Sequence, residues 1–190
     1  MTGEFDKGIA EVRRALELDP VSPIINVDLG TVYTLARRYD EAIAQLRGTV
    51  EMNPQFYRGH LCLGLALELK GATGEAIAEY RKAFELNDDP VVLAFLAHAE
   101  VSIGKQDQAR QILGQLTEEA KARYVPAYAF AVIYLVLGEK DQAVDWLEKA
   151  ARDHAGPYVY LIKVDPYLDP LRGDPRFEAL VSAILSGSVK

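Results

Sequence analysis

Four alanines set the ruler for this chain: Ala42, Ala76, Ala109 and Ala143 follow one another at steps of 34, 33 and 34 residues. Each sits in the same local phrase. The copies are Tyr39-Asp40-Glu41-Ala42-Ile43, Thr73-Gly74-Glu75-Ala76-Ile77, Gln106-Asp107-Gln108-Ala109-Arg110 and Lys140-Asp141-Gln142-Ala143-Val144. One more step back from Ala42 lands on Gly8, inside Phe5-Asp6-Lys7-Gly8-Ile9. A period of this length points to a stack of small structural units, none of which can bury its apolar face alone.

Other residues keep the period. Gly71, Gly104 and Gly138 each stand five places before a repeat alanine, where the first copy has Arg37. Glycine there suits the left-handed turn that ends a helix. Leu29-Gly30-x-x-Tyr33 matches Leu63-Gly64-x-x-Leu67 and Phe130-Ala131-x-x-Tyr134, with Leu96-Ala97-x-x-Glu100 as the worn copy. Small side chains at Gly30, Gly64, Ala97 and Ala131, and at the repeat alanines, let two helices cross closely. Pro20, Pro54 and Pro90 break the chain between units.

Leu29, Gly30, Tyr33, Ala42, Leu46 and Pro54 carry a resemblance to the tetratricopeptide repeat family, over about residues 3–153. Two departures are the absence of a tryptophan opening any helix pair and Glu100 in a tyrosine slot. The resemblance implies an all-α, right-handed superhelix of antiparallel helix pairs with a C-terminal capping helix. It divides the single domain of residues 1–190 into a partial repeat (1–20), four repeats (21–54, 55–88, 89–122 and 123–155) and a cap (156–190).

The spacing predicts a lone second helix over 4–18, then pairs at 23–36 with 40–52, 57–69 with 73–86, 90–103 with 106–117, and 126–137 with 140–153. Pro23 and Pro126 suit a first helical turn. Beyond Asp153, the dipeptides Asp165-Pro166, Asp169-Pro170 and Asp174-Pro175 read as helix starts, aspartate capping and proline following. A last helix is expected over 174–185. The pieces around Tyr160 and Phe177 are expected to cover the end of the stack, with Trp146 packing there.

This tail has a resemblance of its own. Tyr124-Val125-Pro126-Ala127-Tyr128, Leu137-Gly138-Glu139-Lys140, Trp146-Leu147-Glu148-Lys149-Ala150 and Val164-Asp165-Pro166 through Asp169-Pro170-Leu171-Arg172-x-Asp174-Pro175-Arg176-Phe177 are similar to the ending of repeat regions in bacterial multidomain signalling proteins. Those proteins include winged-helix regulators, adenylate cyclases and serine/threonine kinases. The resemblance implies a docking or sensory region of a longer protein.

A net charge of −7 sets the chain against the phosphates of nucleic acid and against an anionic membrane surface. The N-terminus lacks the basic start and apolar core of a signal peptide. The longest uncharged stretch, from Tyr124 to Gly138, falls short of the ~20 residues a bilayer needs. A single cysteine, Cys62, suits a reducing cytoplasm and reads as a small buried hydrophobe.

No catalytic constellation emerges, so an enzyme is not expected. His60, His98 and His154 fall in different repeats without a second ligand at metal spacing. Asp165, Asp169 and Asp174 lack the ligand alternation of a calcium loop. No phosphate-cradling glycine loop or nucleophile elbow occurs. No cofactor or metal is expected.

In the tetratricopeptide family the first helices of successive pairs line a concave groove. The resemblance places Val27, Asp28 and Thr31 there, then Arg58, Leu61, Cys62 and Leu65, then Val91, Ala94, Phe95 and His98, then Val125, Tyr128, Ala129 and Val132. Family members that clamp a peptide carboxylate do so with lysine, asparagine and arginine. Here Val27, Thr31 and Cys62 stand instead, and Arg58 is the groove cation of the early pairs. The implied ligand is a peptide or protein segment with apolar anchors, Phe95 and Tyr128 supplying the aromatic contacts. The alternative is a structural scaffold that self-associates, as a homodimer, or spaces other domains.

Overall fold

The computed structural model describes residues 2–153 and 157–188. All regular structure among these residues is helical. The chain divides into two compact units, residues 1–92 and 93–190.

The first unit holds α1 (Thr2–Leu18), α2 (Pro23–Leu35), α3 (Tyr39–Met52), α4 (Tyr57–Lys70), α5 (Thr73–Leu86) and the opening of α6 (Pro90–Ser102). Helix α2 packs on α1, α3 and α4, and α4 packs on α3 and α5. The connections within the pairs are two or three residues, short enough to turn the chain straight back on itself. Glycine is what allows the crossings. A Cβ on Gly30 would run into the Leu46 side chain of α3, and one on Gly64 would lie 2.5 Å from the Tyr80 ring of α5. Leu46 and Tyr80 stand four residues after the repeat alanines Ala42 and Ala76, one turn along, and all four side chains are fully buried.

The turns follow the period as well. Gly71 has φ 93°, and Arg37, in the same slot one repeat earlier, has φ 61°. Without glycine the chain still takes the left-handed turn, at a cost of roughly 1–2 kcal/mol. Polar groups tie the pair α4–α5 together. The Tyr80 hydroxyl donates to the buried Glu68 carboxylate at 2.7 Å. His60 places one ring nitrogen 2.7 Å from the Glu79 carboxylate and the other 3.0 Å from the Pro54 carbonyl. On α2, the Arg13 guanidinium of α1 donates to the Tyr33 hydroxyl at 2.5 Å, and Arg38 lies over the Tyr33 ring.

The second unit holds the rest of α6, α7 (Gln106–Glu119), α8 (Ala127–Val136), α9 (Lys140–Arg152), α10 (Pro157–Leu161), a 3-10 segment (Pro166–Leu171) and α11 (Pro175–Leu185). Helix α8 packs on α7, on α9 and on the 3-10 segment, while α11 packs on α9 and α10. Gly104 and Gly138 take the left-handed turns after α6 and α8. Pro126 stands just before α8 as its cap rather than within its first turn.

The tail meets some expectations and departs from others. Asp165 caps the 3-10 segment through the Tyr167 amide, and Asp174 caps α11 through the Arg176 and Phe177 amides. Asp169-Pro170 starts no helix; it lies inside the 3-10 segment, where Asp169 faces Arg172 at 3.7 Å. Phe177, on α11, is fully buried; around Tyr160, Val159 and Ile162 are buried while the Tyr160 side chain itself is 71 % exposed. Trp146 stacks on Phe130 at 4.2 Å, inside its own helix pair, because both rings share the α8–α9 seam. Arg176 binds Asp145 at 2.6 Å and Glu148 at 2.9 Å, fastening α11 to α9. His154 lies outside the described residues.

Candidate functional site

In the first unit the inner faces of α2 and α4 form one accessible strip. On α2 it runs through Ile24, Asp28, Thr31 and Leu35, and on α4 through Arg58, Cys62, Leu65 and Leu69. The spacing i, i+4, i+7, i+11 is one helical stripe. All eight residues are partly or well exposed. Contacts knit the two stripes together. Arg58 lies 3.7 Å from Asp28, both side chains nearly half exposed, so the pair orients more than it stabilises. The Thr31 hydroxyl donates to the Val27 carbonyl at 2.9 Å and lies 3.6 Å from the Cys62 sulfur. Burial pushes the Cys62 thiol above its ordinary pKa, which makes it a poor nucleophile.

Two groove residues expected on α2 and α4 are not on that surface, and Val91, at the start of α6, is 2 % exposed. Val27 is 0 % and Leu61 5 % exposed. Val27 and Leu61 each lie one position before a stripe residue, which rotates them about 100° around the helix, off the strip and into the packed interior. Ile24, Leu35 and Leu69 complete the strip and lie outside the sequence-based set. Their signal is present in the sequence: extending the Thr31 and Leu65 stripe by one turn in each direction reaches them.

The second unit differs. Phe95, Tyr128 and Val132, expected as exposed anchors, are at most 2 % exposed, and His98 is half-buried. The cover is the chain's own 3-10 segment. The Tyr167 ring lies 4.9 Å from Phe95 and edge-on to His98 at 4.8 Å. The Tyr128 hydroxyl donates to the Asp165 carboxylate at 2.5 Å. Burial drives the Asp165 carboxyl above its ordinary pKa, and the hydrogen bonds from Tyr128 and the Tyr167 amide pull it partly back. At the far end of the segment, Lys140 donates to the Pro170 carbonyl at 2.9 Å. Leu168 and Leu171 are fully buried.

Measured from the small residue of each first helix, the covered and open positions coincide. Phe95 and Ala129 fall where Asp28 and Cys62 do, His98 and Val132 where Thr31 and Leu65 do, and Val125 where Arg58 does. Tyr128 falls where Val27 and Leu61 do, one position off that strip and buried in the same way. The strip positions are thus open in the first unit and, at Phe95 and His98, covered by Tyr167 in the second.

Among the described residues no cluster of three histidine, cysteine, aspartate or glutamate side chains is placed to hold a metal ion. Nor is any helix among them long and apolar enough to cross a membrane.

The tetratricopeptide repeat family model matches residues 2–55 and 36–90. No curated protein matches the sequence. Solved structures share the fold. TTC0263, a thermophilic TPR protein of Thermus thermophilus, aligns with a TM-score of 0.63 at 17 % identity, over 97 % of this chain and 92 % of its own. MamA aligns with a TM-score of 0.56 at 22 % identity, over 80 % and 90 %. YrrB, a TPR protein with an unusual peptide-binding site, aligns with a TM-score of 0.50 at 11 % identity, over 92 % and 91 %. Period, family match and fold agree: residues 2–90 match the tetratricopeptide repeat family, and the chain has the all-α, helical-repeat fold of the tetratricopeptide proteins it aligns with.

Proposed function

We propose that the chain binds a peptide or protein segment with apolar anchors on the inner face of α2 and α4. The observation that carries this reading is the accessible strip of Thr31, Arg58, Cys62 and Leu65, flanked by Leu35 and Leu69. Tetratricopeptide proteins are protein-interaction modules, and the likeness to YrrB, with its peptide-binding site, supports the same use here. Apolar side chains of the ligand pack on Leu65 and Leu69, and Arg58 gives it a charged reference point. The role is recognition without catalysis, in the cytoplasm, as one region of a larger bacterial signalling or regulatory protein. The tail resemblance supports that setting.

Selection of peptides from a displayed library against the chain tests the reading. Selected peptides should lose binding at least about tenfold on Leu65→Asp or Arg58→Glu, and keep it on the outer-face change Arg47→Glu. Selected peptides that bind all three variants as they bind the native chain would remove α2–α4 as the site.

A second reading has its own observation. Leu18, Val21 and Ile24, within seven residues, are 86 %, 70 % and 53 % exposed. An apolar patch of this kind favours self-association. Light scattering that finds dimers, lost on Val21→Lys, would support a scaffold; a monomer at all concentrations would discard it.

A further inference from the structure

We infer that residues 165–171 are a built-in ligand of the α6–α8 face, which keeps a second binding groove closed and gives way to an outside segment of the same chemistry. Phe95 and His98, the residues that Tyr167 covers, stand in the register of Asp28, Cys62, Thr31 and Leu65, which are open in the first unit. The occupant is held as a bound peptide is held. It has one polar latch, the Asp165 carboxyl on the Tyr128 hydroxyl. It has one aromatic wedge, Tyr167 between Phe95 and His98. It has one backbone anchor, the Pro170 carbonyl on Lys140.

The segment's main chain bonds to itself. The Tyr167 amide is taken by the Asp165 side chain, the Leu168 amide by the Asp165 carbonyl, and the Arg172 amide by the Asp169 carbonyl. Lifting it off breaks side-chain contacts and leaves the backbone ladder of α8 intact. Its six residues span about 12 Å as a 3-10 helix, close to the roughly 15 Å of the ten-residue α8. The competing segment is defined by the same groups: a carboxylate, an aromatic ring two residues on, and leucine one residue further.

Native-state hydrogen exchange tests the inference on the unaltered chain. The Tyr167 and Leu168 amides should exchange at least about tenfold faster than those of Val132 and Ile133 in α8, after correction for intrinsic rates. Equal protection in segment and helix would make the segment inseparable core and overturn the proposal. A second arm uses a fluorescent, end-blocked peptide with the sequence of residues 163–173. The native chain, already filled, should bind it at least about tenfold more weakly than the Tyr167→Ala chain does. A folded Tyr167→Ala chain that binds no tighter overturns the proposal. So does loss of the helical circular-dichroism signal in that variant, since a ligand can be loosened without melting its groove.

Discussion

The Tyr128 hydroxyl meets the Asp165 carboxylate at 2.5 Å across 37 residues of sequence, joining the inner face of α8 to the segment that covers it. Asp165 is 6 % exposed, so its carboxyl is harder to ionise in the folded chain than in the unfolded one. The stability it contributes is present in full below the ordinary carboxylate range. It is lost as pH rises through the raised pKa.

Asp165→Asn removes that titration while keeping an acceptor for Tyr128 or for the Tyr167 amide. Urea midpoints of both chains, compared between about pH 4 and pH 8, isolate the effect. The difference, native minus variant, should favour the native chain most at the acid end and shrink as pH rises. A difference that grows toward alkaline pH would mean the group is stabilised in its charged form.

Two glycines of helix interiors should respond with opposite sign to the same change. Gly64→Ala drives a methyl into the Tyr80 ring and should cost about 1–3 kcal/mol. Gly114, in α7, has nothing within 4 Å of its would-be Cβ, so Gly114→Ala should stabilise by about 0.5–1 kcal/mol through helix propensity. Thermal melts of the two single variants decide this. Equal effects would show that close approach of α4 and α5 does not depend on the missing side chain.

Arg37 is the period's exception, a long side chain in a left-handed turn that glycine occupies after α4, α6 and α8. Arg37→Gly should raise the melting temperature, with a gain of about 0.5–1 kcal/mol, and Gly71→Ala should lower it by a similar amount. A fall on Arg37→Gly would show that the arginine's own contacts outweigh its backbone cost.

Tyr80→Phe removes the 2.7 Å donor from the Glu68 carboxylate in a buried place. The expected loss is about 1–3 kcal/mol by chemical denaturation, larger than a surface hydrogen bond would give. A change under about 0.5 kcal/mol would mark the bond as replaceable by solvent.

Much of this is legible from residue spacing. The alanine period yields the helix pairs, Gly71, Gly104 and Gly138 yield their turns, and Asp165 and Asp174 yield the caps, because each is a local effect with its own residue chemistry. Groove exposure is not local. Val27 and Leu61 differ from their exposed neighbours Asp28 and Cys62 by one residue, about 100° on a helix, finer than a periodic pattern locates. Phe95, Tyr128 and Val132 do point into the inner face of their helices. Phe95 and Tyr128 are met by residues 165–171, a contact over 37 positions in the case of Tyr128, made by a segment too short to carry a periodicity of its own. Asp169-Pro170 carries the same dipeptide as its two capping neighbours, and only the fold places it within a 3-10 turn.

The recognition surface we propose is the accessible strip of α2 and α4. Residue-resolved NMR titration with a selected peptide tests it most directly. Shifts should concentrate on Thr31, Arg58, Cys62 and Leu65 and leave Arg47 and Glu75, on the outer helices α3 and α5, unmoved. Shifts confined to α3 and α5, with the α2–α4 strip silent, would contradict it.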